Sequence, residues 1–126
     1  MVKRIVFTQD APKPIGPYSQ AIDTGNFIFI SGQIPLDPQT GNVVGSTIQD
    51  QAKQALINLK AILASQSLDI PSLVKTTVFM RSMTDFPAFN AAYEEALGGW
   101  KPARSVVEVS GLPKNVLVEI EAIACR

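Results

Sequence analysis

Histidine is absent from this chain of 126 residues, and there is a single cysteine, Cys125, one position from the C-terminus. Without histidine there is no Ser-His-Asp or Cys-His catalytic apparatus and no His-containing metal site. One cysteine can form neither an internal disulfide nor a thiolate metal site, which fits a reducing compartment. Net charge is absent too: 11 basic residues balance 11 acidic ones, with no local run of Lys and Arg. Phosphate-driven binding needs clustered positive charge, so nucleic acid is not expected as a partner. No apolar run approaches the roughly 20 residues that span a bilayer, and the N-terminus lacks a signal-peptide profile, so no membrane role is expected. Charged residues are scarce, 17% against the roughly one quarter usual in soluble domains. With 46% hydrophobic residues, one domain spanning 1–126 is expected to bury part of its surface against another subunit.

What is present orders as β-β-β-α-β-α-β-β, an α+β arrangement. Val2 to Phe7 is a short β-prone segment. In Ala11-Pro-Lys-Pro-Ile-Gly-Pro17, three prolines and a glycine forbid regular structure and stiffen the approach to Tyr18. Ala21 to Asp23 and Asn26 to Ile30 flank Thr24-Gly25 as a hairpin. The second of these strands is apolar on both sides and runs into Ser31-Gly32. A stripe of Ile48, Ala52, Ala55, Leu56, Leu59, Ile62 and Leu63 at 3.6-residue spacing predicts a long helix. Gln51, Lys53, Gln54 and Lys60 fall outside the stripe, and Ser46 with Gln49 has capping-box spacing. Leu73 to Met80 alternates as a strand. A second helix is predicted from Thr84 or Asp85 to Gly98-Gly99, with Pro87 in its first turn and Phe86, Phe89, Tyr93, Ala96 and Leu97 buried. Arg104 to Val109 and Val116 to Ala124 finish the chain as strands.

Two helices cover one face of such a sheet. In the last strand Val116, Val118, Ile120, Ala122 and Ala124 point one way, and Leu117, Glu119, Glu121 and Ile123 the other. In the strand before it, taken as its antiparallel neighbour, Val107 and Val109 suit the covered face. Arg104, Val106 and Glu108 are then expected on the open face, which reads as a subunit interface with charges set into it.

Arg104 has two readings on this pattern. It closes a cross-strand ion pair with Glu119 or Glu121, or it is an unfinished site whose planar fork awaits a small carboxylate. In the second case a glutamate is the natural group to orient or deprotonate water, histidine being absent. Asn90 falls on the buried side of the second helix, either as a packing tie to a loop or as the edge of a site. Tyr18 and Ser31-Gly32 are each explained as a core aromatic and a bend, or as groups meeting a ligand. Trp100 reads as loop packing, and Cys125 has no activating neighbour.

Several segments, in order along nearly the whole chain, carry a resemblance. They are Ile15-Gly-Pro-Tyr-Ser-Gln-Ala21, Ile30-Ser-Gly-Gln-Ile-Pro35, Val74-Lys-Thr-Thr-Val-Phe79 and Asp85-Phe-Pro-Ala-Phe-Asn90. Lys101-Pro-Ala-Arg-Ser105, Gly111-Leu-Pro113 and Val118-Glu-Ile-Glu-Ala-Ile-Ala124 complete the set. Together they resemble the RidA (YjgF-type) reactive-intermediate deaminase family. The resemblance implies a chorismate-mutase-like fold and a cytoplasmic homotrimer with ligand clefts between subunits, mitochondrial in some eukaryotic settings. It implies cofactor-independent hydrolysis of enamines and imines left by pyridoxal-phosphate enzymes, typically 2-aminoacrylate or 2-iminopropanoate, to 2-oxo acids and ammonia. By the same resemblance Arg104 holds the substrate carboxylate and Glu119 positions the attacking water. Tyr18, Ser31, Gly32, Asn90 and Val106 line the cleft, Val106 standing where many relatives carry cysteine. The Gly98-Gly99-Trp100 segment is shorter than usual. Two other functions accompany the resemblance: a non-catalytic trimer binding 2-oxo acids, and a ribonuclease or translation inhibitor, which the neutral charge disfavours.

Overall fold

Alternation along the last strand divides the molecule into two faces. The computed structural model describes residues 2–126, so Met1 lies outside it. The strands are β1 (Arg4–Val6), β2 (Ala21–Asp23), β3 (Phe27–Gln33), β4 (Leu73–Met80), β5 (Ala103–Glu108) and β6 (Val118–Cys125). Two helices, α1 (Ile48–Ser65) and α2 (Phe86–Ala96), complete the expected order. The sheet runs β1-β2-β3-β6-β4-β5. Every pairing is antiparallel except β4 with β5. Val118, Ile120, Ala122 and Ala124 of β6 are buried beneath the helices, whereas Glu119, Glu121 and Ile123 are not. No helix among the described residues is long and apolar enough to cross a membrane.

The first helix keeps its expected stripe, all seven apolar positions being buried. It begins one residue later than the capping-box spacing indicates: Thr47 is the cap, its hydroxyl accepting the Asp50 N–H at 3.2 Å. Two amides join the stripe. Gln51, expected outside it, is buried; it donates to the Gly45 carbonyl and accepts the Leu117 N–H at 2.8 Å. Asn58 is fully buried and donates to the carbonyls of Ile34 and Leu36. Hydrophobic periodicity passes over such residues, which are inside because loop carbonyls there need donors. They fasten the 34–45 loop over a small second cluster of Ile34, Leu36 and Val116.

The position of β5 differs from expectation, and the difference moves a functional residue. A strand-helix-strand crossover returns the chain parallel to where it began, so β5 lies beside β4, and β6 is inserted between β4 and β3. The register sets Arg104 against Thr76 and Val106 against Val78. Thr76 and Val78 are both fully buried, and paired residues share a face. Arg104 and Val106 therefore face the helices, and Val107 is on the open side at 43% exposure. Val106 and Leu117, both expected on the open face, pack against the main core. The sequence phase of this edge strand assumes an antiparallel β6 neighbour, which it does not have. The open face does carry Phe27, Phe29, Phe79 and Ile123, with Lys75, Thr77, Glu119 and Glu121 among them.

Candidate functional site

Arg104 leaves the edge strand toward α2, and α2 is built to receive it. Phe86, Asn90 and Tyr93 recur at i, i+4 and i+7, on one side of the helix. The Arg104 Nη1 donates to Asn90 Oδ1 at 2.9 Å. Its guanidinium carbon lies 5.0 Å from the centre of the Tyr93 ring and 5.7 Å from that of Phe86. Arg104 forms no ion pair with a carboxylate among the described residues. Glu108, four residues further along the same strand, accepts the Met83 N–H at 2.8 Å. The cross-strand ion pair is thus not formed, and Asn90 is no loop tie: its amide oxygen serves the guanidinium. A cleft of about 370 Å³ opens here, walled by Asn90, Tyr93, Glu94, Trp100, Lys101 and Pro102. Trp100 is also a packing residue, its Nε1 donating to the Leu73 carbonyl at 2.9 Å.

Glu119 is on the other face. It pairs with Phe79, which pairs in turn with the exposed Val107. Between Ile30 and Gln33 of β3 the register slips, so Ser31 and Gly32 together oppose the single residue Glu121. That is a β-bulge, and it bends the strand where the Glu119 side chain crosses it. The carboxyl lies directly on Gly32: a Cβ there would stand 2.7 Å from Glu119 Cδ and 2.9 Å from Cγ. Ser31 pins the bulge, its hydroxyl donating to the Ser19 carbonyl at 2.6 Å and its N–H to the Gln20 carbonyl at 2.9 Å. Gln20 in turn is buried and donates to the carbonyls of Thr8, Ala11 and Pro12, holding the proline-rich strap. Tyr18 ends this strap half-exposed, its hydroxyl accepting the Ile15 N–H at 3.3 Å. Tyr18, Ser31, Gly32, Ile34, Pro113, Glu119 and Glu121 share a cleft of about 420 Å³.

The Glu119 carboxyl is half-buried and has no hydrogen-bond or ion-pair partner among the described residues. Burial first, and the neighbouring Glu121 charge second, push its pKa above the ordinary glutamate value. A carboxyl raised in the fold binds more protons there than in the unfolded chain, so stability falls as pH climbs through that interval. Glu119→Gln removes this loss. The variant is expected to melt above wild type at neutral pH, and the gain to vanish once pH drops below the ordinary glutamate range. A lower melting temperature at neutral pH would mark Glu119 as a structural carboxylate instead.

The residues singled out from sequence therefore fall into two groups. Arg104 and Asn90 meet on the helix side of the sheet edge; Tyr18, Ser31, Gly32 and Glu119 meet on the open side. Val106 sits next to Arg104 in β5 but packs on the core and is not among the residues walling the Arg104 cleft. Phe86 and Tyr93, read as plain core residues, are the rings that flank the guanidinium. Their spacing with Asn90 was the available signal.

Comparison with known proteins agrees across the chain. The profile of the family described as Endoribonuclease L-PSP matches residues 8–126. A RutC family protein of Pyrococcus horikoshii is 55% identical over 125 residues, covering 99% of each chain. The 2-iminobutanoate/2-iminopropanoate deaminase of Escherichia coli is 47% identical over 128 residues, again covering 99% of each. Among solved structures, Escherichia coli TdcF with bound serine superimposes with a TM-score of 0.92 at 44% identity, covering 98% of each chain. The expected chorismate-mutase-like fold, with two helices on one face of a six-stranded mixed sheet, is the fold of these neighbours.

Proposed function

The chain belongs to the Endoribonuclease L-PSP (YjgF/RutC) family, and on that premise we propose that it hydrolyses 2-imino acids, with Arg104 binding the carboxylate and Glu119 activating water. The observation that carries this is the Arg104 guanidinium, held by an amide and two rings and yet without a carboxylate partner among the described residues. A fixed fork of N–H donors, one engaged by Asn90 and none by a carboxylate among the described residues, suits a small planar anion. A relative named 2-iminobutanoate/2-iminopropanoate deaminase and one crystallised with serine, a small α-amino acid, support that choice.

The chemistry needs few groups. 2-Aminoacrylate tautomerises to 2-iminopropanoate, whose C=N carbon is already electrophilic. Water adds at C2, forming the C–O bond while Glu119 takes a proton from it. That proton is passed to the imine nitrogen, giving the carbinolamine; the hydroxyl proton is then transferred to the amino group as the C–N bond breaks, so that ammonia leaves and the C2 carbonyl of pyruvate forms. Orientation and one weak base supply most of the acceleration. A carboxyl with raised pKa is a better base than an ordinary glutamate, and an acid limb shifted upward in the pH profile is the corollary.

Arg104 and Glu119 point from opposite faces of one sheet, so the site we propose is shared between copies. The Arg104, Asn90 half of one copy meets the Tyr18, Gly32, Glu119 half of the next, in a homotrimer. The half-exposed phenylalanines 27 and 29 on the open face support burial by another copy. Cleavage of RNA, suggested by the family's printed description, fits less well. The chain has no net charge, and two carboxylates, Glu119 and Glu121, line the open-face cleft where a phosphate backbone would be repelled.

The test generates 2-aminoacrylate in situ with a serine or cysteine lyase and follows pyruvate and ammonia. Wild type is expected to accelerate release well beyond buffer. No acceleration would leave the non-catalytic binder of 2-oxo acids as the better account, to be checked by titration with pyruvate.

A further inference from the structure

Thr76 and Tyr93 form a pair that packing alone does not explain. Their hydroxyls are 2.7 Å apart in the interior, Thr76 being fully buried and Tyr93 nearly so. A valine and a phenylalanine would fill the same space without two polar atoms to satisfy. The pair has a particular address. Thr76 is the direct cross-strand neighbour of Arg104, and the ring that Thr76 tethers is the one 5.0 Å from the Arg104 guanidinium. Thr76, Tyr93 and Arg104 thus close a triangle: backbone pairing on one side, a hydrogen bond on the second, a cation–ring contact on the third. Phe89, fully buried, packs at 5.4 Å between ring centres and blocks the Tyr93 ring from turning away.

We propose that Tyr93, tethered by Thr76, is a positioning residue that acts through Arg104, holding the guanidinium in its carboxylate-binding pose from the wall of the cleft; this rests on the clamp role given to Arg104 above. The need for it follows from where Arg104 stands. It projects from an edge strand, which has a neighbour on one side only, and a free arginine side chain has many rotamers to lose on binding. One hydrogen bond, to Asn90, fixes one Nη atom but permits rotation about it. A ring face against the guanidinium removes that freedom and leaves the remaining N–H donors for the ligand. Asn90 and Tyr93 then act as two constraints on one planar group. Phe86, at 5.7 Å, is a weaker third.

The experiment uses the full chain and pyruvate as the carboxylate probe, with Tyr93→Phe, Thr76→Val, the double variant, Tyr93→Leu and Arg104→Ala side by side. Tyr93→Leu is expected to weaken pyruvate binding roughly ten-fold, the size of a partly desolvated cation–ring contact. Tyr93→Phe and Thr76→Val should each weaken it by about three-fold, and the double variant no further, since all three remove one tether. In the lyase-coupled assay the same variants should raise KM while kcat stays within about two-fold, because the carboxylate is held alike in ground and transition states. Nitrogen-15 relaxation of the Arg104 Nε–H should report a rigid group in wild type and a mobile one in Tyr93→Leu. Unchanged affinity and unchanged Arg104 mobility in a Tyr93→Leu protein would overturn the inference; if that variant fails to fold, non-coupled effects of the two conservative changes would do so. Arg104→Ala separates the two levels. If it loses pyruvate while Tyr93→Leu keeps it, the clamp stands and the tether falls; if it binds as wild type does, both fall.

Discussion

Chains carrying Arg104→Ala or Glu119→Gln are each expected to be inactive alone, and to recover about a quarter of wild-type activity when mixed in equal amounts, unfolded and refolded together. On the roles proposed above, the first change removes the carboxylate clamp, at a cost of roughly 10²–10³ in kcat/KM. The second removes the proposed base, at about 10²–10⁴. Recovery follows from the sheet. Arg104 shares a row with Thr76 and Ala122, both buried under the helices, whereas Glu119 shares one with Phe79 and Val107 on the open side. A sheet one residue thick lies between the two groups, and no rotamer carries either through it. In a random mixture about half the chains offer an intact Arg104 half and about half an intact Glu119 half, which gives the quarter. A site made within one chain would recover nothing, because every chain then carries one lesion. Mixed assemblies that stay as inactive as the parents, despite demonstrated exchange of subunits, would end the shared-site proposal.

Gly32→Ala is expected to lower kcat/KM by roughly 100-fold with little loss of thermal stability, the signature of a displaced catalytic group rather than a damaged fold. Gly32 is not in the left-handed region, so alanine has no backbone objection to the position. The objection is spatial. The new methyl would overlap the Glu119 carboxyl, with Cδ and Cγ already at 2.7 and 2.9 Å. The obstructing atoms are the end of a flexible side chain, and the cheap response is for Glu119 to swing off the bulge. Displacement by about 1 Å suffices for a loss of that order. Equal activity in Gly32→Ala would mean that Glu119 works from another pose; a collapse in melting temperature would mean that Gly32 serves the fold.

Much of this was legible in the residues themselves. The stripe from Ile48 to Leu63, the alternation from Leu73 to Met80 and the stop at Gly98-Gly99 each reappear where expected. The ordered segments that resemble the RidA family led to the family that the profile and the relatives show. Arg104, Asn90 and Glu119 stand out as polar groups in apolar settings, and neither Arg104 nor Glu119 forms an ion pair among the described residues. What went astray was the company they keep. Arg104 and Glu119 were expected on one face of adjacent strands, and they are on opposite faces of strands separated by β4. Gln51, polar and so expected outside the helix stripe, is inside it; Tyr93, expected in the core, also lies against a guanidinium.

The division has a physical basis. Helix and strand periods, proline and glycine stops, and capping residues act between neighbours a few positions apart, so the eight elements, the buried face of β6 and the scarcity of chemistry beyond arginine, carboxylate and amide are legible without a fold. Which strand lies beside which is settled by crossover geometry and by packing between residues far apart in the chain. Long-range packing therefore sets β5 parallel to β4, lays Glu119 against a bulge at Ser31-Gly32, and turns Arg104 and Glu119 to opposite faces of the sheet. Each depends on a partner that no local pattern names.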